Sequence, residues 1–198
     1  MLPAPSRRAD IVRMAVRPHS GPFTVDTFRR LGEVGVLRED DRVELVDGQV
    51  VAMSPIGDSH AACVRRLNRL LTRNLADLAV IDVQNPVVLG ARDQPQPDVT
   101  VLRPRADGYR QHPRAADVVL IIEVADTSLA YDRDVKIPLY ARAGIAEVWL
   151  VDLDGARIEV YRTPSGDGYR DTRVLARGGA LSPAAFPGVS VPVAEVLG

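Results

Sequence analysis

Three residues could do chemistry together in this chain: Asp98 in the run QPDVTVL, Glu123 in VVLIIEVA, and Lys136 in YDRDVKIPLY. Both acids lie near the ends of apolar, strand-like runs. A carboxylate drawn into such a strand loses hydration, and unless a cation or a hydrogen-bond donor compensates, it takes up a proton. Two ionised carboxylates about 4 Å apart repel by roughly 4 kcal/mol at an effective dielectric of about 20, so the pair favours a cation between them. Hard oxygen ligands of this kind suit Mg²⁺, which accepts one or two protein carboxylates and completes its octahedron with water and phosphate oxygens. An ion held there would lower the pKa of a water and offset charge developing on phosphorus.

Lys136 stands out by composition, because the chain has 24 arginines and this one lysine. Arg stays protonated behind a planar fork, whereas Lys is a compact ammonium whose pKa moves on burial. A single lysine is either the amine that a site requires or a remnant of biased composition. Helical spacing puts Asp132, Lys136 and Tyr140 on one face, so Asp132 could orient the ammonium. The plainer alternative is an ordinary i,i+4 salt bridge with Asp132, worth about 0.3 to 0.5 kcal/mol.

The elements that must position these residues follow from periodicity and punctuation. Val25, Phe28 and Leu31 have helical spacing, with Thr24 as N-cap and Gly35 as terminator. RVELV and QVVAM flank Asp47-Gly48 as a hairpin in which Val43, Leu45, Val50 and Ala52 share one face and Glu44 lies on the other with Val46 and Val51. From His60 to about Leu78, Val64, Leu67, Leu71 and Leu75 mark a helix. Its other side carries Arg65, Arg69 and Arg73 beside Arg66, a stripe that reads first as a solvated face and alternatively as a ridge contacting phosphates. AVIDV, PVVLG and PDVTVLR read as strands, followed by a polar loop with Arg103, Arg105, Arg110 and Arg114. DVVLIIEVA is a continuous branched apolar run, as a strand buried on both faces requires. A helix from about Tyr131 to Ala143 stops at Gly144, with Pro138 implying a kink or a start near Ile137. EVWLVD, ARIEVYR and GYRDTRVLA close the chain as strands. The fold class is α/β (α+β): a mixed sheet flanked by helices, with an N-terminal hairpin and extra C-terminal strands.

With 198 residues, 46% hydrophobic and 26% charged, the chain suits one domain over residues 23–198 behind a loose leader over residues 1–22. A net charge of -1 gives no global pull on nucleic acid, so any binding surface must be local. Cys63 is the only cysteine, and His19, His60 and His112 are scattered, which excludes a disulfide framework and a cysteine-rich zinc site. The N-terminal run lacks the apolar length of a signal peptide or membrane span. A cytoplasmic protein with no membrane association is expected.

The segments VELVDGQVVAMSP, QPDVTVL, VVLIIEVADTS and YDRDVKIPLYARAGIAEVWLVD resemble the Uma-two family, bacterial restriction endonucleases of the PD-(D/E)XK superfamily, from about Phe23 to the C-terminus. The resemblance implies a restriction-endonuclease-like fold and a Mg²⁺-dependent DNA endonuclease, with Mn²⁺ as a substitute ion and DNA as partner. By that resemblance Asp98 and Glu123 bind the metal with the backbone carbonyl of Val124. The superfamily lysine stands two residues after the second acid, where this chain has Ala125; the family displaces it to the next helix, here Lys136, to position or deprotonate the water. Glu44 matches the glutamate of the family's ELxDG hairpin as a further acid, or is a cross-strand partner for an arginine. His60 matches the histidine after the SP segment, with hydrogen bonding at the helix start preferred over metal ligation. Trp149 and Tyr140 are assigned to packing. Analogy extends to a homodimer whose two sites cut two strands. A catalytically silent protein that binds DNA or another partner, and a phosphohydrolase acting on nucleotides or RNA, are the alternatives.

Overall fold

A computed structural model describes residues 22–38 and 40–198. The expected leader therefore lies outside the described residues except for Pro22. The first helix, α1 (Val25–Glu33), is capped as its sequence suggests: Thr24 Oγ1 accepts the Thr27 N–H at 3.2 Å, and Gly35 ends the run at φ 74°. Asp47 and Gly48 at φ 49° and 74° form the turn between β1 (Val43–Val46) and β2 (Gln49–Ala52). The hairpin register pairs Val43 with Ala52 and Glu44 with Val51, as the alternation requires.

The second helix, α2 (Asp58–Leu75), buries Val64, Leu67, Leu70, Leu71 and Leu75 along one stripe. It leads to a six-stranded sheet whose spatial order is its sequence order: β3 (Val80–Val83), β4 (Val99–Leu102), β5 (Val118–Ala125), β6 (Glu147–Asp152), β7 (Arg157–Ser165) and β8 (Gly168–Ala176). Every neighbouring pair is antiparallel except β5 and β6. A parallel pair needs a crossover rather than a tight turn. That crossover is α3 (Leu129–Tyr131), a π-helical turn (Asp132–Lys136) and α4 (Ile137–Arg142), ended by Gly144 at φ 75°. The distortion expected at Pro138 is this π turn just before it, where a wider turn keeps the pyrrolidine ring clear of the preceding carbonyl.

PVVLG is not a strand. Val88 makes one isolated bridge to Arg114, while Val87 and Leu89 donate to Pro95 and Asp93 within their own loop. Pro86, Gly90, Pro95 and Pro97 punctuate that loop too closely for a ladder to propagate.

All eight residues of β5 are buried, because helices cover both faces of the sheet. Val99, Leu120, Ile122, Val124 and Trp149 pack on the α2 side, whereas Ile121, Ala125, Val148 and Leu150 pack with Ile137 and Tyr140 on the other. Strand alternation puts Glu123 with Ile121 and Ala125, facing the crossover helix and Lys136. A short pair, β9 (Ala180–Leu181) and β10 (Val191–Pro192), leads to α5 (Val193–Leu197), whose Val196 and Leu197 carbonyls accept from Arg66 of α2. Among the described residues no helix is long and apolar enough to cross a membrane.

Because α2 fixes one rim of the site from within this core, Leu67→Ala, at a fully buried position, is expected to cost about 2 to 5 kcal/mol. Urea unfolding at constant m-value reads the loss; an unchanged midpoint would show that the helix is not seated as described.

Candidate active site

Three elements carry carboxylates to one point. Glu44 comes from β1, Asp98 from the residue before β4, and Glu123 from the sixth position of β5. Lys136, in the π turn, puts its Nζ 3.2 Å from Glu123 Oε1 and 3.3 Å from Glu44 Oε2. All three side chains are almost fully buried. Tyr140 donates its hydroxyl to Glu123 Oε1, so that oxygen serves both Lys136 and Tyr140. The other oxygen, Oε2, meets only the Asp98 N–H at 3.4 Å. Glu44 takes the Tyr131 hydroxyl at 3.2 Å and the Gln96 N–H at 3.1 Å.

Asp98 links the acids to the opposite rim. Its Oδ2 accepts the Val124 N–H at 2.9 Å, and its Oδ1 faces His60 Nε2 at 2.9 Å and Gln84 Nε2 at 3.3 Å. His60 Nδ1 is buried without a hydrogen-bond partner. Glu44, His60, Asp98, Glu123, Tyr131 and Lys136 line a cavity of about 420 Å³, bounded also by Arg42, Asp126 and Ser128.

Positive charge in this cavity falls short of negative charge. Burial pushes Glu123 from its ordinary value of 4.5 up to about 8; Lys136 and the Tyr140 hydrogen bond oppose the rise, and Asp132 and Asp98 add to it. Burial works against the Lys136 ammonium as well, but Glu123, Glu44, Asp132 and Asp98 together outweigh it and hold the lysine above its usual range. Lys136 is thus firmly protonated, while burial favours the neutral form of Glu123.

The residues singled out from sequence do not all converge. Asp98, Glu123, Lys136 and Glu44 do, and Val124 and His60 lie against Asp98. Glu44 pairs with Lys136 and with no arginine. His60 does bond near the helix start, but its partner is Asp98 rather than a helix amide. Asp132 lines the same cavity without the expected i,i+4 bridge: it takes the Ser128 hydroxyl at 2.6 Å, while Glu44 and Glu123 occupy the ammonium. Arg65, Arg69 and Arg73 are exposed on α2 outside the cavity, with Arg73 3.7 Å from Glu195. Trp149 packs in the core, its Nε1 donating to Glu147 at 2.7 Å. Tyr140 is also fully buried, yet packing understates it, because its hydroxyl serves Glu123.

Sequence reasoning missed Tyr131, Gln84 and Gln96. The face shared by Lys136 and Tyr140 was a signal for a hydroxyl near the acids. Gln96 is adjacent to the Pro97-Asp98 pair, but nothing in its type separates it from a loop glutamine.

A buried acid-lysine cluster thus lies at the C-terminal end of the interior strand β5, in a mixed sheet flanked by helices. The model of the Uma2 family, described as "Putative restriction endonuclease", matches residues 25–194, and the chain belongs to that family. A crystal structure described as "a putative nuclease belonging to DUF820" from Anabaena variabilis matches at a TM-score of 0.72 with 17% identity, covering 89% of this chain and 98% of that one. At that identity the likeness establishes a shared fold. No curated protein matches the chain.

Glu123 gives a pH signature. Between about 4.5 and 8 the folded chain binds a proton at Glu123 that the unfolded chain has released, so this residue's contribution to stability falls as pH rises through that window. Denaturant midpoints measured across that range should decline in the wild type more steeply than in Glu123→Gln, which cannot titrate. Identical slopes would show that Glu123 does not carry the raised pKa.

Proposed function

We propose that this chain is a Mg²⁺-dependent endodeoxyribonuclease hydrolysing phosphodiester bonds, with Mn²⁺ able to replace Mg²⁺. The observation that carries the proposal is the convergence of Asp98, Glu123 and Glu44 on one solvent-reaching cavity that holds a single ammonium, Lys136: carboxylates that outnumber the cations beside them are an environment in which a divalent cation is stabilising. Among the described residues no three His, Cys, Asp or Glu side chains group to hold an ion by themselves. The donor set is instead Asp98, Glu123 and the backbone at Val124, a hard-oxygen set that leaves positions for water and phosphate oxygens. In support, Val124 donates its N–H to Asp98, and the N–H and C=O of a strand residue leave the backbone on one edge, so its carbonyl turns toward the same side.

When bound, the ion would activate a water and neutralise charge on the phosphate. The protein groups do the rest. Tyr140 and Lys136 hold Glu123 Oε1, which leaves Oε2 with only the long contact to the Asp98 N–H. His60 and Gln84 fix the orientation of Asp98 from the far rim. The acids around Lys136 hold its pKa above the usual lysine range, which favours a donor that orients the attacking water or the phosphate over a base. The exposed Arg65, Arg69 and Arg73 extend a basic face along α2 for the duplex.

One observation favours the second reading, a catalytically silent DNA-binding protein: every oxygen of Asp98 and Glu123 already faces a protein donor. Incubation with duplex, single-stranded and branched DNA plus Mg²⁺ or Mn²⁺ separates the two. Cleavage is expected in the wild type, with a loss of at least about a hundredfold in Asp98→Ala and Lys136→Met, since each removes a group acting in the transition state. Cleavage that persists in both variants overturns the proposal, and binding without product supports the silent protein.

A further inference from the structure

A second cavity, of about 610 Å³, runs along β3 from Val80, which pairs with Leu102, to Asn85 near the Asp98 end, and Arg29, Arg110, His112 and Arg114 stand on its walls. Arg29 comes from α1, and the other three come from the polar loop between β4 and β5. The acids of that loop are already committed: Asp107 and Asp117 lie 2.7 and 3.6 Å from Arg105. Among the described residues, Arg110 and Arg114 make no ion pair, and both are exposed. Asp82 is the one carboxylate on the cavity wall, and the Asn85 amide donates to it. The cavity is therefore a local positive basin on a chain whose formal net charge is -1.

Its position connects it to the acids. Asn85 lines the arginine cavity, while its neighbour Gln84, turned by a φ of 52°, donates to Asp98. Consecutive residues thus face the two sites. The far end of the cavity, at Leu102, lies four residues from Asp98 along β4, roughly 13 Å at about 3.3 Å per residue. At about 3.4 Å per step of one DNA strand, that separation corresponds to roughly four nucleotides.

We propose that the arginine cavity is a second subsite for the sugar-phosphate backbone, gripping the strand a few nucleotides from the bond presented to Asp98 and Glu123. It rests on the nuclease reading for its substrate. The planar guanidinium forks of Arg110 and Arg114 each match two oxygens of a phosphodiester. The exposed sheet edge at β3 gives the strand a path between the cavities without crossing the core.

Binding of a labelled duplex to the full chain, measured without divalent metal at several salt concentrations, tests this directly. Arg110→Ala with Arg114→Ala is expected to lower the slope of log K against log salt by about 2, close to 0.9 for each phosphate that the protein ceases to neutralise. Arg110→Lys with Arg114→Lys should keep most of the slope, and Arg170→Ala with Arg173→Ala, on β8, should leave it unchanged. Both alanine targets are exposed, so the fold is expected to persist, and a matching unfolding midpoint checks this. No measurable binding by the wild type, an unchanged slope in the loop variant, or an equal loss in the β8 variant overturns the subsite. A wild type that shows the arginine-dependent slope but cuts nothing with Mg²⁺ or Mn²⁺ removes the nuclease reading and leaves the subsite standing. Cutting with an unchanged slope does the reverse.

Discussion

One buried ammonium between two buried carboxylates governs the site. Lys136 lies within 3.3 Å of both Glu44 and Glu123, and all three are almost fully buried on the wall of the cavity. Removing one partner of such a cluster typically costs about 3 to 5 kcal/mol, because the remaining charge is left uncompensated. A hydrophobic cluster of the same shape would serve stability equally well or better. Retaining three buried ionisable groups here therefore points to chemistry rather than to folding. The cluster also ties the hairpin, the central strand and the crossover helix to one point, so three sequence-distant elements share a single electrostatic constraint.

Around that ammonium the cavity wall carries more acids than cations. Asp98, Glu44, Glu123 and Asp132 all act on Lys136, and Glu123 still rises to about 8. The hydroxyls of Tyr131 and Tyr140 share the load without adding charge. They fix how donors are shared among the carboxylate oxygens, something that no count of acids would reveal. The π turn serves the same end: it delivers Lys136 into the protein just ahead of Pro138, in a crossover that a parallel β5–β6 pair requires.

Most of the fold was legible because its signals were local. The Asp47-Gly48 turn fixed the hairpin register, the Val64 to Leu75 stripe marked α2, and the unbroken apolar run of β5 announced a central strand. PVVLG misled because branched residues favour strands, whereas the flanking prolines, which lack N–H donors, decide against a ladder. Within the site, residue type was enough for Asp98, Glu123 and the sole lysine. It was not enough for the partners. Asp132 has the spacing of a salt bridge and takes a serine instead, since preference among nearby carboxylates is set by three-dimensional approach. Tyr131, Gln84 and Gln96 carry ordinary types in loop or helix-start positions, and only the meeting of distant segments gives them partners.

Titration calorimetry of Mg²⁺ or Mn²⁺ into the protein tests most directly whether the carboxylate pair holds a cation. The account predicts a saturable binding signal at one site per chain, lost in Asp98→Ala and in Glu123→Gln and retained in Arg110→Ala. A wild type with no signal, or a signal that survives both acid substitutions, would contradict it.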